Sequence, residues 1–430
     1  MLEYFIESYS TGLFPYIIKI LVVILPIFIP FLLVYAIWIL RMRYIQMKFI
    51  SSKTPCLLEV RLPKDIVKSP EGMEIFFSYL HGGGPGSWGA AFVEGEVRPW
   101  YSCEIVSIEG EVRFFIWMSD KKNRMVIENQ LYAQYPNVEI YEVKPEDDYA
   151  RSLNFSDVSN VHGVQYKLAK ADPYPIKTYL DYGLSDDQKE EYKIDPITNV
   201  IEFLGSMKTG ESACVQIMFR KHGKEGWKEG VWKSDKDLKK EVEDAIEDVR
   251  KKALPKDAGK DTMKFPNPTK GQTEVITALE RSATKLPFDT MVRCIYMGKK
   301  INDKDYWNPA HIGGLTNCFK QYGSENLNGF KPQFSTGLND KQKDIQLVFP
   351  FMKKVYADRV SMFKRNIVRA YKLRSFFEWP YKYYRKCKPF VLTTEELATI
   401  FHFPSAIATQ TPTFRRVPSK KGEAPSNIPI

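Results

Sequence analysis

Hydrophobic positions along the chain fall into three regimes. The first is an apolar run from Ile17 to Leu40, IIKILVVILPIFIPFLLVYAIWIL. At about 1.5 Å per residue it is long enough to cross a hydrocarbon core of roughly 30 Å as one helix. Pro26 and Pro30 predict a bend, which a spanning helix tolerates. Lys19, its one charge, sits at an end and can snorkel. Tyr35 and Trp38 stand at interfacial positions, and Arg41 and Arg43 follow at once. Glu3 and Glu7 precede the run, whereas Arg41, Arg43 and Lys48 come after it. This asymmetry predicts an N-terminus outside and a body on the cytoplasmic side of the cell membrane, with a single pass and an anchor over residues 1–45. A cleaved signal peptide would need a basic start and a small-residue cleavage site before RMRY, and neither is present.

The second regime alternates between strand and helix periods. LLEVRLP reads as a strand, and Ser69-Pro70 opens a helix with Met73, Phe76, Phe77 and Leu80 on one face. WYSCEIVSI and EVRFFIWM form a hairpin around Glu109-Gly110. Asp120 caps a helix carrying Ile127, Leu131 and Tyr135, Pro136 stops it, and NVEIYEV closes the set. The order βαββαβ predicts a ferredoxin-like unit over 54–150. A second unit over 160–350 follows the same plan: YKLAKA as first strand, a helix opened by Asp195-Pro196, strands CVQIMFR and FDTMVRCIYM, and a helix near 310–322. Its last strand is not evident. A charged, helical insertion over 221–287 separates the two central strands, with helices expected around Leu238 to Val249 and Thr273 to Lys285, and a flexible PKDAGKD between them. The expected class is α+β.

In the third regime, residues 351–404, Tyr356, Val360, Phe363, Ile367 and Tyr371 make an apolar stripe on one helix. Lys354, Arg365, Arg369 and Lys372 fall on its other side, with Arg374 just beyond. FVLTTEELATIFHFP then predicts a short strand and a Thr394-capped helix stopped by Pro404. The Pro, Ser, Thr and Lys of 405–430 predict an extended tail.

Charge sharpens this picture. The chain carries a net +10, and before Arg41 only Glu3, Glu7 and Lys19 are charged, so the excess lies in the body. Anionic lipid and nucleic acid both suit such a surface, and net charge does not separate them. Six cysteines without CxxC spacing argue against a disulfide framework or zinc site. GSMKTGES has phosphate-loop spacing but places Glu211 where the lysine must stand, and it joins a helix to a strand rather than the reverse. HGGGPGSWGAAF lacks GxGxxG and reads as a mobile loop. The five histidines form no HxxxH or HExxH, and His402, between Phe401 and Phe403, reads as packed. No catalytic constellation or cofactor motif emerges, so a non-enzyme is expected.

TPCLLEVRLPKDIVKSPEGMEIFFSYLHG, PWYSCEIVSIEGEVRFFIWM and ENQLYAQYPNVEIYEV together resemble the membrane-proximal region of bacterial conjugation and type IV secretion (HerA/FtsK-like) ATPases. FVLTTEELATIFHFP followed by RRVPSKKGEAPSNIPI is similar to the segment just ahead of their motor domain. The resemblance runs from about Thr54 onward. It implies a non-catalytic, membrane-anchored subunit of a DNA- or protein-translocation system that docks a separate P-loop ATPase, because the chain ends at Ile430 without phosphate- or Mg²⁺-binding motifs; truncation would also explain that ending. On this reading Thr394, Glu395, Leu397, Phe401 and Phe403 form the motor-facing or domain-junction surface, and the chain forms a homo-oligomer matched to a hexameric motor. Lys354, Arg365, Arg369, Lys372 and Arg374 meet an anionic partner, lipid or DNA. The alternative is a membrane-tethered nucleic-acid-binding module with no motor. A membrane enzyme would need a clustered acid-base or metal site.

Overall fold

In the computed structural model the residues described are 13–63, 69–84, 86–152, 160–184, 195–223, 238–253, 268–301, 304–337, 352–377 and 387–404. Helix α1 (Leu13–Ser52) contains the apolar run with both prolines inside it. Phe31, Leu32, Val34, Ile37 and Leu40 are exposed, an apolar surface too large to face water. The helix is long and apolar enough to cross a membrane.

The first group of strands follows the predicted sequence pattern. It comprises β1 (Cys56–Arg61), α2 (Glu71–Leu80), β2 (Tyr101–Ile108), β3 (Glu111–Met118), α3 (Arg124–Gln134) and β4 (Glu139–Val143). Glu109 and Gly110 take φ of 55° and 89°, the backbone that a two-residue hairpin turn demands. After the short α4 (Tyr149–Ser152) come β5 (Val161–Leu168), α5 (Ile197–Gly205), β6 (Glu211–Lys221), α6 (Leu238–Lys252), α7 (Lys270–Ala283) and β7 (Pro287–Gly298). A ribbon of β8 (Lys300–Ile301) and β9 (Lys304–Asp305), then α8 (Ala310–Asn317) and β10 (Phe330–Ser335), complete the second group. The chain continues as α9 (Met352–Lys372), β11 (Phe390–Thr393) and α10 (Thr394–Ile400).

All the long strands form one antiparallel sheet in the order β10-β5-β7-β6-β2-β3-β1-β4, with β11 alongside β7. The two groups are not separated: β2 and β6 pair from Tyr101↔Phe219 to Ile108↔Ser212. Segment 387–404 also returns into this body, through β11 on β7 and α10 against α2. The strand that sequence pattern did not reveal is β10, an edge strand with Pro332 and a register shift between Pro332 and Phe334. A proline and a bulge are tolerated only where one side of a strand is unpaired, and they erase the period-two signal. The first strand of this group begins at Val161, not Tyr166.

The sheet is covered on both faces. Helices α2, α3, α5, α8 and α10 lie over Leu58, Phe114, Ile116, Val215, Phe219 and Phe288. The opposite face, with Val106, Phe115, Trp117, Met218, Met291 and Ile295, is covered by α4, α9 and the last turns of α1 through Phe49 and Ile50. Within the insertion, α6 and α7 pack on each other through Leu238, Val242, Val249, Val275 and Leu279. PKDAGKD, residues 378–386 and the tail from 405 lie outside the described residues.

Candidate functional site

The inner face of α9 is the stripe its sequence predicts. Tyr356, Ile367 and Tyr371 are buried, and Phe363 meets Phe334 of β10 edge-on at 5.3 Å. Gly163 of β5 permits the close approach: a Cβ there would stand 2.5 Å from Ile367 Cδ1. On the outer side Lys354, Arg365 and Arg369 are exposed. Lys372 is half-buried, and burial lowers its pKa. Arg359, also exposed, lies over the Tyr356 ring at 6.0 Å.

Arg374 departs from the expected anionic-partner set. It is 2% exposed, and its φ of 46° turns the chain sharply at the end of α9 so that the guanidinium enters the body. Nε and Nη2 donate to the two oxygens of Glu104 at 2.9 and 3.1 Å, while Nη1 and Nη2 donate to Asp148 at 2.6 and 3.0 Å. With both edges of its fork taken by carboxylates inside the body, it is not placed to meet an outside anion. Burial alone would lower its pKa, but Glu104 and Asp148 outweigh that and raise it well above the ordinary value.

Glu104 begins a polar row running across four strands. Gln216 lies opposite it on β6, Arg293 opposite Gln216 on β7, and Gln165 opposite Arg293 on β5. Gln216 Nε2 donates to Glu104 at 3.0 Å and its Oε1 accepts from Arg293 Nη1 at 2.8 Å. Turned so that its amide oxygen faces the guanidinium, Gln165 accepts from Arg293 at 3.1 Å. Arg293 Nη2 also donates to the Ser375 carbonyl at 3.2 Å. Tyr149 donates to Glu104 at 2.6 Å and shares a hydrogen bond with Tyr371 of α9 at 2.5 Å. Burial lowers Arg293 to about 10, so it remains charged at neutral pH. Two cations, Arg293 and Arg374, thus balance two anions, Glu104 and Asp148, beneath the end of α9. The groups are spent on one another, which suits holding α9 in place. Sequence reading missed this row, although its signal was present: CEIV, CVQIM, MVRCI and GVQY each set one polar residue amid apolar neighbours.

The five residues expected to face a motor are all buried in this chain. Phe401 and Phe403 pack on Phe114 at 6.1 and 5.5 Å, Phe403 also on Tyr135 at 5.0 Å, and Leu397 is in the same core. Glu395 faces Arg281 Nε at 3.1 Å, and Thr394 donates to Glu74 at 3.4 Å. The helix cap is Thr393 rather than Thr394: its hydroxyl accepts from Glu396 N at 3.4 Å and Glu396 accepts from Thr393 N at 2.8 Å. These residues join α10 to α2, α7 and the sheet. A motor would reach them only by lifting α10 away. His402 is packed, as expected; its ring nitrogens meet the Ala398 carbonyl at 2.8 Å and Asp195 at 2.9 Å.

Among the interface candidates, Tyr35 and Arg41 are exposed, Trp38 and Arg43 half-buried, and the side chain of Lys19 lies outside the described residues. Arg41 Nη1 donates to the Phe92 carbonyl at 3.0 Å. The glycine-rich segment is therefore seated on α1 over its final part: Ala91 and Phe92 pack with Trp38, Met42 and Ile45. GSMKTGES is the turn from α5 into β6, and Glu211 within it is buried, accepting from Tyr296 at 2.7 Å. None of the six cysteines forms a disulfide. Among the described residues no group of three His, Cys, Asp or Glu is placed to hold a metal ion.

Fold and site define a class: an antiparallel α+β body that follows an apolar helix and carries a basic helix locked over a buried charge row. Residues 58–415 match a family described as a domain of unknown function, DUF8128, and the chain belongs to that family. A search of curated proteins finds no match.

Proposed function

We propose that this protein is a non-catalytic, membrane-anchored docking subunit with its body on the cytoplasmic side. The single observation behind this is continuity. Exposed apolar α1 runs without interruption into turns packed on the same sheet face that α9 covers, so a fixed membrane attachment and a fixed basic surface belong to one rigid frame. We read each half of the sheet as a ferredoxin-like unit. The order β4-β1-β3-β2 in one half and β10-β5-β7-β6 in the other, each with two crossover helices on one face, supports that reading. Two such units joined through β2 and β6 make a broad platform.

The resemblance to the membrane-proximal region of conjugation and type IV secretion ATPases supports a translocation role with a separate P-loop ATPase. Because α10 is buried, the contact is assigned to the outer face of α9, at Lys354, Arg365 and Arg369. A second reading, a membrane-tethered nucleic-acid-binding module, draws on the same exposed cations, which could track a phosphate backbone. Purification of the native complex from membranes tests both. A P-loop ATPase in stoichiometric amount supports the first. Salt-sensitive DNA binding without such a partner supports the second, and nucleotide turnover by the chain alone overturns the non-catalytic reading.

A further inference from the structure

From the glycine-rich segment we infer a second membrane contact: residues 86–93 form an uncharged aromatic wedge that enters the bilayer interface beside α1. The inference rests on α1 being a membrane anchor, as proposed above. Three observations carry it. First, the segment is fixed to the helix where apolar surface gives way to charge. Ala91 and Phe92 pack against Trp38, Met42 and Ile45, which span about 10 Å along the axis, enough to cover an interfacial layer of roughly 5–8 Å. Gly95, at φ +73°, comes so close that a Cβ there would stand 2.5 Å from the Ile45 carbonyl, and Arg41 binds the Phe92 carbonyl.

Second, the side chains turned away from α1 are apolar and unsatisfied by protein. Trp88 is 52% exposed and Val93 60% exposed, and Ile37 and Leu40 of the helix are exposed to a similar degree. Trp88 stacks on Phe92 at 5.0 Å and Phe92 meets Trp38 at 5.5 Å, so three aromatic rings extend outward from the helix. Tryptophan favours this setting because its ring is apolar and its N–H can meet water or headgroups. Third, no charged residue occurs from Gly82 to Val93, and Glu94 follows at once. A charge in the wedge would oppose insertion; one at its edge marks where water begins. Such elements settle roughly 5–10 Å into the headgroup and acyl boundary.

The test is fluorescence depth measurement on the full chain reconstituted in vesicles of zwitterionic lipid with a minor anionic fraction. An environment-sensitive label is placed by Trp88→Cys, Val93→Cys, Tyr35→Cys or Glu325→Cys; the native cysteines are buried and label poorly. Blue-shifted emission at 88 and 93, quenched most by nitroxides near the headgroup, with 325 unquenched, is the expected result. Having both 88 and 93 as reporters guards against one substitution disturbing the fold. Quenching at 35 without quenching at 88 and 93 overturns the wedge and leaves the anchor standing. An unquenched label at 35 overturns the anchor, and the wedge with it.

Discussion

The two faces of the sheet are closed by opposite physics. On one, Phe114 sits among Phe401 and Phe403, with Tyr135 packed on Phe403, and helix positions follow from apolar area, which is non-directional. On the other, Glu104, Gln216, Arg293 and Gln165 form a row that Arg374 must complete with correct geometry. An apolar face accepts any cover of about the right shape; a buried charge row accepts only the cover that neutralises it. The difference explains how a helix bearing exposed cations keeps one register: its position is set by Arg374, the cation buried in the turn that follows it.

Breaking the charged face should cost most. Arg374→Met leaves the Glu104 and Asp148 carboxylates buried without the guanidinium that neutralises them and is expected to destabilise by about 3–5 kcal/mol, read as a fall in the urea midpoint of the detergent-solubilised chain. Phe403→Leu, on the apolar face, is expected to cost about 1–2 kcal/mol, because a smaller apolar group still fills much of the site. Equal losses from the two would remove the distinction between the faces. Next comes Gly163→Ala, which sets a methyl against Ile367 and should cost about 1–3 kcal/mol. Adding Ile367→Val removes the closest atom, so the double variant should recover part of that loss; a larger loss in the double than in the single would contradict the packing account.

Much of the apolar face was legible in the sequence, and little of the charged face was. Strands such as EVRFFIWM and helices bearing Met73, Phe76 and Phe77 display their period directly, because burial there selects apolar residues. Glu104 and Arg293 were hidden by the same rule applied in reverse, since a charge in a strand reads as a solvent position. Arg374 was grouped with Arg365 and Arg369 for the same reason, and only the turn at its positive φ separates it from them. Leu397, Phe401 and Phe403, expected at a motor-facing or domain-junction surface, lie at a junction inside this chain. Their apolar stripe was read correctly, but sequence does not say whether its cover is another chain or this one.

A smaller effect tests a cation buried on the same face as Phe114. Burial opposes charge on His402, yet Asp195 and the Ala398 carbonyl prevail, and its pKa is raised above the ordinary value. A group that binds its proton more tightly when folded contributes stability that is complete below the unfolded pKa of about 6.5 and is lost as pH rises through the folded pKa. Denaturant midpoints followed as pH is raised from below the unfolded pKa to the alkaline side of neutrality should therefore decline more steeply in the native chain than in Asp195→Asn. Parallel slopes would show that this pair contributes no linkage.

The smallest effect on stability belongs to the outer side of α9, where the comparison becomes one between like groups. Arg365 and Arg374 lie nine positions apart and carry the same charge, but only Arg374 has left water. Reversing Arg365 by Arg365→Glu, alone or with Lys354→Glu, should shift the urea midpoint by no more than the equivalent of about 0.5 kcal/mol, because exposed charges are screened. The same variants should weaken binding of the anionic partner, with a shallower dependence on salt as fewer counterions are released. Measured against anionic vesicles and against DNA in parallel, loss on one alone identifies the partner. Unchanged binding to both, at unchanged stability, would leave the basic face as a solvated surface and transfer the docking role elsewhere on the body.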